Sequence, residues 1–177
     1  MRRVILFIAM SLDGYIADEK GNVDWLMGQE PGKDDMVSYD EFIKEISTIV
    51  IGWNTYHQLI TELSPGKWFY SGFKSYVLTH RNLPPTKEIE FVEEDVCKLV
   101  RGLKETSPKD IWICGGAALV WPLIKEDLID RYYISVIPTI LGSGIRLFEG
   151  GCSEIKLKLT ETKKYNGIVD LVYERRE

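Results

Sequence analysis

Short apolar runs alternate with amphipathic stretches along the first two thirds of the chain. Four of these runs are apolar almost throughout, which is typical of strands buried on both faces: Val4–Ala9, Thr48–Ile51, Tyr76–Leu78 and Ile111–Cys114. Strands that alternate with helices favour a mainly parallel sheet with helices on its faces. This part of the chain therefore predicts an α/β fold.

Two amphipathic stretches lie between the predicted strands. The first predicts a helix around Tyr39, Ile43 and Ile46, because helical spacing places these residues on one face. Asp34 and Asp35 precede it, where the helix dipole favours acidic side chains. We interpret such acidic residues as dipole partners rather than metal ligands.

The second amphipathic stretch predicts a helix over Glu93–Lys104. Acidic residues again stand at its start, and Ser107-Pro108 is a typical stop. The apolar residues that repeat at helical spacing are Val96, Leu99, Val100 and Leu103.

The last third of the chain changes to strands. Arg131–Ile137 is rich in Tyr, Ile and Val, and Ile155–Thr162 alternates apolar and polar residues. Asn166-Gly167 fits a tight turn with positive φ, and the strand that follows has Val169, Leu171 and Tyr173 on one face. These features predict an antiparallel C-terminal hairpin at the edge of the sheet.

Composition restricts the classes of function. The chain has 177 residues with 22 Lys+Arg against 27 Asp+Glu, and it is 45% hydrophobic. We expect one globular domain over residues 1–177. The acid excess and the lack of a basic cluster argue against a nucleic-acid partner. The longest apolar run, Val4–Met10, is too short to span a membrane and has no cleavage site behind it, so we expect a cytoplasmic protein.

Cysteine and histidine are too few for several kinds of site. The three cysteines are widely spaced, and neither histidine belongs to a metal-binding or G-x-S-x-G motif. We therefore predict no metal site, no disulfide framework and no serine triad. The residues concerned are Cys97, Cys114, Cys152, His57 and His80.

Paired glycines after a predicted strand are the most informative local signal. Gly115 and Gly116 are followed by Ala117 and Ala118 at a predicted helix start. Such a turn lets a phosphate approach free backbone N–H groups. A tight turn without any ligand explains the glycines equally well. Pro122 predicts that the helix is short or kinked.

Three other segments each have a structural and a functional interpretation. Asp13-Gly14 opens a long loop that suits a lid, and Asp13 either contacts a ligand or stabilises a turn. Thr55 either contacts a ligand or caps a helix. Arg81 follows the predicted strand at Leu78, where a cation is either a ligand contact or a solvated surface residue.

Taken in order, these segments resemble the dihydrofolate-reductase-like superfamily. The nearest resemblance is to the reductase domain of the bifunctional riboflavin-biosynthesis deaminase/reductase, with motifs S-x-D-G-x-I-A, G-R-x-T-Y, strand-Gly-Gly and P-x-x-x-G-x-G-x-x-L-F. The matching positions are Ser11–Ala17, Gly52–Tyr56, Cys114–Gly116 and Pro138–Phe148. The resemblance covers nearly the whole chain. It implies a mixed, mostly parallel eight-stranded sheet flanked by helices.

The resemblance also implies NADPH as the cofactor and hydride transfer to a pterin- or aminopyrimidine-type small molecule. The implied cofactor residues are Ala9, Ile16 and Ala17 at the nicotinamide, Gly52, Thr55, Leu78, Thr79 and Arg81 at the adenosine half, and Gly115, Gly116, Ala117 and Leu119 at the pyrophosphate. The implied substrate residues are Ser11, Trp25, Tyr39 and Ser135.

Two positions depart from the family pattern. Trp53 stands where the family places the arginine that pairs with the 2′-phosphate, and Arg81 is the candidate replacement. Dihydrofolate reductases use an acid on the first helix, for which Asp40 is the candidate here. Asp13, which the resemblance places near the substrate, is the second candidate catalytic acid.

Three functional hypotheses follow from the sequence. The first is an NAD(P)H-dependent reductase, acting either as in riboflavin synthesis on an aminouracil ribosyl phosphate or on dihydrofolate. The second is a catalytically silent nucleotide-binding module on the same fold. The third is an unrelated α/β domain whose glycines only make turns. The resemblance also implies a homodimer.

Overall fold

Eight strands form one twisted sheet in this computed structural model, which describes residues 2–33 and 36–176. A separate two-stranded ribbon pairs β2 with β8. The strands are β1 (Val4–Ser11), β2 (Tyr15–Ala17), β3 (Ile46–Gly52), β4 (Lys74–Leu78), β5 (Ile89–Val92), β6 (Asp110–Gly115), β7 (Arg131–Ile137), β8 (Ile145–Arg146), β9 (Leu157–Tyr165) and β10 (Ile168–Arg175).

The order across the main sheet is β5-β4-β3-β6-β1-β7-β10-β9. The six strands from β5 to β7 are parallel to one another, and β10 runs antiparallel to both β7 and β9. The predicted mixed, mostly parallel sheet with an antiparallel C-terminal hairpin is thereby confirmed. Because the parallel strands are covered on both faces, their apolar runs made them recognisable in the sequence.

Helices cover both faces of the sheet. They are α1 (Val37–Phe42), α2 (Trp53–Gln58), which continues as a π-helical turn over Leu59–Leu63, α3 (Val96–Thr106) and α4 (Ala117–Lys125). One apolar core lies between the sheet and helices α3 and α4, and a second lies between the sheet and helices α1 and α2. The carboxyl ends of the parallel strands remain uncovered by either layer, which leaves room for a site there.

The predicted first helix is shorter than its spacing suggested. Helix α1 ends at Phe42, and Ile46 is the first residue of β3, where it is 3% exposed and pairs with Asp110. Burial in the sheet outweighs helical spacing at this position, so the prediction of Ile46 on the helix was wrong. Asp34 and Asp35, predicted at the helix start, lie outside the described residues.

Helix α3 begins three residues later than predicted, at Val96, and ends at Thr106 instead of Lys104. The Asp95 carboxylate accepts a hydrogen bond of 2.9 Å from the Lys98 backbone N–H and so caps α3, which ends just before Ser107-Pro108. Helix α4 is short, as Pro122 predicted, and its nine residues continue through that proline. Thr55 does not cap α2, because the N-cap residue is Gly52 and Thr55 lies inside the helix.

The C-terminal hairpin turns at Asn166 and Gly167, whose φ angles are 44° and 77° as the dipeptide predicted. The first strand runs two residues later than expected, from Leu157 to Tyr165. On β10 the face of Val169 is partly exposed, whereas Ile168, Asp170 and Val172 point into the protein. An acidic residue therefore lies on the buried face of this strand.

No helix among the described residues is long and apolar enough to cross a membrane. Within the same ranges, residues 2–33 and 36–176, no group of three or more His, Cys, Asp and Glu side chains is placed to hold a metal ion.

Candidate active site

A cleft of about 1530 Å³ runs along the carboxyl ends of the parallel strands. Ends of β1, β3, β4, β6 and β7 line it, together with parts of α2, α4 and the loop that follows β2. Open α/β sheets bind ligands outside the carboxyl ends of their strands. Since a pocket for one drug-sized ligand has roughly 300–1,000 Å³, this cleft has room for a second ligand.

Two glycines bring the ends of β3 and β6 close together in the cleft. A Cβ atom at Gly116 would lie 3.4 Å from the Thr55 hydroxyl oxygen, and one at Gly52 would lie 3.5 Å from the Gly115 carbonyl oxygen. Helices α2 and α4 begin directly after Gly52 and Gly116, and no side chain caps either start. The first N–H groups of a helix have no acceptor within it. This glycine cradle, Gly52 and Gly116, therefore offers backbone donors to an anion.

Small and apolar side chains line the cleft next to the glycine cradle. Ala9 comes from β1, Ile16 and Ala17 come from β2, and Ala117 and Leu119 come from α4. None of these side chains carries a polar group, so a flat ring can approach the strand ends without displacing one.

A cation lies where the cleft reaches the end of β4. Leu78 ends β4, and Thr79 and Arg81 follow it along the cleft. The guanidinium of Arg81 lies 4.7 Å from the centre of the Trp53 ring, and its backbone N–H donates to the Thr79 hydroxyl oxygen at 3.1 Å. Stacking on an aromatic face favours a fixed orientation of an arginine while its donors stay available.

Aromatic side chains line the cleft beside β1 and β6. The Tyr39 ring centre lies 6.0 Å from that of Trp112 and 6.4 Å from that of Phe69. Burial, with smaller effects of Cys114 and Asp40, raises the pKa of Tyr39 to about 12, so its phenol stays neutral at physiological pH. We call this surface the aromatic wall: Phe7, Tyr39, Phe69, Tyr70 and Trp112.

Polar groups converge where the cleft meets β7 and the hairpin. Ser135 and Tyr165 line the cleft, and their hydroxyl groups donate to the Asp170 Oδ1 atom, at 2.6 Å and 3.2 Å. Ser38, on α1, donates to Asp170 Oδ2. Asp170 itself is 0% exposed and lies opposite Ser135 in the β7–β10 ladder. We call this group the polar corner: Ser38, Ser135, Tyr165 and Asp170.

The model of the RibD C-terminal domain family matches residues 2–170. This chain belongs to that family. A relative at the level of sequence is the uncharacterized protein YwjB of Bacillus subtilis (strain 168), 38% identical over 177 residues that cover 98% of each chain. The predicted resemblance to the reductase half of the riboflavin enzyme is thereby confirmed.

Solved structures agree with the RibD C-terminal fold. A putative riboflavin biosynthesis protein from Shewanella sp. PV-4 is 26% identical with a TM-score of 0.85, and the match covers 99% of both chains. A Thermotoga maritima diaminohydroxyphosphoribosylaminopyrimidine deaminase/5-amino-6-(5-phosphoribosylamino)uracil reductase is 20% identical with a TM-score of 0.71. The match covers 99% of this chain and 57% of the Thermotoga protein, so at that identity it shows the fold alone.

The structure brings together most residues that the RibD-like resemblance implied. All of the predicted cofactor residues except Gly115 line the cleft, and a Cβ atom at Gly52 would lie 3.5 Å from the Gly115 carbonyl oxygen. Tyr39 and Ser135 line it as well. Binding by these residues stays a prediction.

Asp13 and Ser11 lie outside the lining of the cleft. The Asp13 carboxylate accepts hydrogen bonds from the Ser11 hydroxyl at 2.6 Å and from the backbone N–H groups of Leu141 and Gly142 at 3.1 and 2.7 Å. The Ser11 hydroxyl and these two N–H groups lower the pKa of Asp13 to about 2. This arrangement favours the turn-stabilising role that the sequence left open.

Trp25 and Asp40 are two further predicted residues that do not line the cleft. Trp25 has a buried indole N–H that makes no hydrogen bond to a described residue, and its neighbours Val23 and Leu26 reach the cleft instead. Asp40 is exposed on α1. The nearest cleft residue to Asp40 in the chain is Tyr39.

Asp170, Tyr165 and most of the aromatic wall were missed by sequence reasoning. Asp170 carried a readable signal, because it stands between Ile168 and Val172 on one face of an alternating strand. An acidic residue on an apolar face is unusual, since buried carboxylates need several hydrogen-bond partners. Of the other missed residues, Phe7 and Trp112 lie within β1 and β6, whereas Phe69, Tyr70 and Tyr165 lie in a loop or at the end of a strand.

Proposed function

We propose that this protein is an NADPH-dependent oxidoreductase that reduces a planar nitrogen heterocycle of the pterin or aminopyrimidine type. One observation carries the proposal: a single cleft joins a glycine cradle with free helix-start donors to an aromatic wall with a polar corner. The first end suits a diphosphate and the second suits a flat polar ring. A reductase needs both ligands in one cleft.

The glycine cradle fits the diphosphate of a dinucleotide. Side chains at Gly52 or Gly116 would fill the space above the strand ends, where a Cβ atom at Gly116 would lie only 3.4 Å from the Thr55 hydroxyl oxygen. Arg81, stacked on Trp53, would hold the 2′-phosphate that distinguishes NADPH from NADH. Ala9, Ile16 and Ala17 would flank the nicotinamide because they leave an apolar surface there.

The chain's own contribution to the reaction is positioning. When bound, NADPH supplies a hydride. The aromatic wall orients a flat ring and excludes water from it, and the polar corner offers hydroxyl oxygens to the ring's edge. Tyr39 keeps its proton at neutral pH, and burial moves the pKa of its phenol further from that range, to about 12.

Family membership supports this class of chemistry. The Thermotoga relative of the fold is named as a 5-amino-6-(5-phosphoribosylamino)uracil reductase, and the Shewanella protein as a putative riboflavin biosynthesis protein. We therefore put an aminouracil ribosyl phosphate first and dihydrofolate second among the heterocycles to be assayed.

The experiment is a titration of the purified protein with NADPH and with NADH, followed by Trp fluorescence and melting temperature. Free ligand at 100 times its dissociation constant should stabilise the protein by about 2.7 kcal/mol. Gly116→Val should abolish the shift, whereas Gly102→Val, where a Cβ atom meets open space on α3, should leave it unchanged. Unchanged binding to the Gly116→Val variant contradicts the cradle assignment.

Turnover separates the reductase from a silent module. Oxidation of NADPH at 340 nm is measured with dihydrofolate and with aminouracil substrates in saturating NADPH. Binding of NADPH without oxidation by any of them would favour the nucleotide-binding module. This second candidate function is considered because neither predicted catalytic acid lines the cleft: Asp40 is exposed on α1, and Asp13 is hydrogen-bonded within a turn.

A further inference from the structure

The fully buried carboxylate of Asp170 is the most unusual group beside the cleft. It is 0% exposed, and among the described residues it has no ion pair, since the nearby Lys163 pairs with Glu41 and Glu161. Burying an unpaired carboxylate is costly unless hydrogen bonds replace the water it loses. The hydrogen-bond partners of Asp170 therefore have to replace this water.

Hydroxyl groups surround the Asp170 carboxylate. Ser135 and Tyr165 donate to Oδ1, Ser38 donates to Oδ2, and the Tyr133 hydroxyl lies 3.5 Å from Oδ2. An ionised carboxylate has about four acceptor positions and no donor. The four hydroxyl groups thus match its capacity, and each of them is placed to donate to the carboxylate.

This arrangement determines which hydrogen-bonding groups the polar corner offers to a ligand in the cleft. A hydroxyl group has one donor and two acceptor lone pairs. With their hydrogens on Asp170, Ser135 and Tyr165 can offer only lone pairs to a ligand in the cleft. The negative charge behind them strengthens these acceptors, because hydrogen bonds in a chain polarise one another.

We propose that Asp170 is a positioning residue that makes the polar corner select N–H donors of the substrate through the oxygens of Ser135 and Tyr165. The ligand class is a heterocycle with an amino or ring N–H group on the edge that meets this corner. The inference deepens the proposed function, on which its choice of substrate rests. A ring with only carbonyl or ether oxygens on that edge would face two acceptors and be rejected.

The test compares two small rings that differ in their donors: 2,4-diaminopyrimidine and 2,4-dimethoxypyrimidine. Dissociation constants are measured by calorimetry with and without NADPH. We expect the diamino compound to bind the natural protein at least about fivefold more tightly. Asp170→Asn should reduce this preference to less than about twofold, because its amide N–H₂ turns one hydroxyl hydrogen toward the cleft.

Two further variants and a control keep the test decisive if Asp170→Asn folds poorly. Ser135→Ala and Tyr165→Phe each remove one acceptor from the cleft and should lower the preference while NADPH affinity stays the same. Glu105→Gln makes the same carboxylate-to-amide change at an exposed site on α3. It should change neither the preference between the pyrimidines nor the affinity for NADPH.

Several results would overturn the inference. They are equal binding of the two pyrimidines to the natural protein, no binding of either, or an unchanged preference in the folded Asp170→Asn and Ser135→Ala variants. Failure of the proposed function looks different, because it appears as absent NADPH binding while the preference between pyrimidines persists.

Discussion

Arg81 lies with its guanidinium 4.7 Å from the centre of the Trp53 ring, at the end of the cleft beside β4. Trp53 occupies the position where the family resemblance places an arginine. The Trp53 ring supports a cation from the end of a different strand, and stacking on the ring leaves the donors of Arg81 available to a ligand.

Arg81 should set the preference between dinucleotides. Replacing Arg81 by Ala removes one charge-assisted contact with the 2′-phosphate, so we expect NADPH affinity to fall about tenfold while NADH affinity changes less than about twofold. Calorimetric titration of both ligands measures this. Arg101→Ala removes an exposed arginine on α3 and serves as the control. An equal loss for both dinucleotides would place Arg81 away from the phosphate.

Asp13 should contribute to stability in a pH-dependent way. Its pKa is lowered to about 2 from an ordinary value of 3.8, so its stabilising effect is complete above about pH 4 and is lost as the pH falls through about 2. Asp13→Asn should therefore melt at a lower temperature than the natural protein at pH 7, and the two melting curves should converge at low pH. A difference at pH 2 as large as the difference at pH 7 would rule out this ionisation as the cause.

Asp95 should stabilise the start of α3. Its carboxylate accepts from the Lys98 backbone N–H at 2.9 Å. Asp95→Ala should lower the free energy of unfolding by about 1 kcal/mol, and Asp95→Asn by less, since Asn is also a good N-cap residue. Urea denaturation of both variants makes the comparison. Equal losses in the two variants would mean that charge, rather than capping, supplies the stability.

Asn166 should hold the loop at residues 28–30 as well as forming the hairpin turn. Its side chain accepts from the Glu30 backbone N–H at 2.9 Å and donates to the Glu30 carbonyl at 3.1 Å. Asn166→Gly keeps a residue that tolerates the φ of 44° but removes both bonds, so hydrogen exchange at the Glu30 amide should accelerate while the hairpin amides stay protected.

Asn166→Ala is the matched variant, because it also disfavours the turn and should destabilise the hairpin by about 1 kcal/mol. Unchanged exchange at the Glu30 amide in both variants would show that the side chain does not hold the loop.

Sequence patterns predicted the elements whose burial is uniform. The strands β1, β3, β6 and β7 stand out because both of their faces are covered, and Asn166-Gly167 located the hairpin because few other residues tolerate that turn. The β2–β8 ribbon was missed because strands of two or three residues are too short to show an alternation of apolar and polar positions. Ile46 was placed in the wrong element because a residue at the junction of a helix and a strand fits both patterns.

The part of the site built from glycines and residues at strand ends could be predicted from the sequence. The part that depends on the register between two strands could not. Gly52, Gly116 and Arg81 stand at or just after the ends of strands, and the family resemblance implied their place in the cleft. Asp170 reaches Ser135 only because β10 pairs with β7 in one particular register. The alternation of β10 indicates that Asp170 is buried, but it does not indicate which residue of the neighbouring strand Asp170 contacts.

The glycine cradle and three of the four residues of the polar corner come from different stretches of chain. The glycine cradle and the Arg81–Trp53 pair belong to residues 52–116, whereas Ser135, Tyr165 and Asp170 belong to β7 and the terminal hairpin. Substitutions in the hairpin can therefore alter Tyr165 and Asp170 without altering the glycine cradle. The two ligands of the proposed function can thus be tuned separately within one cleft.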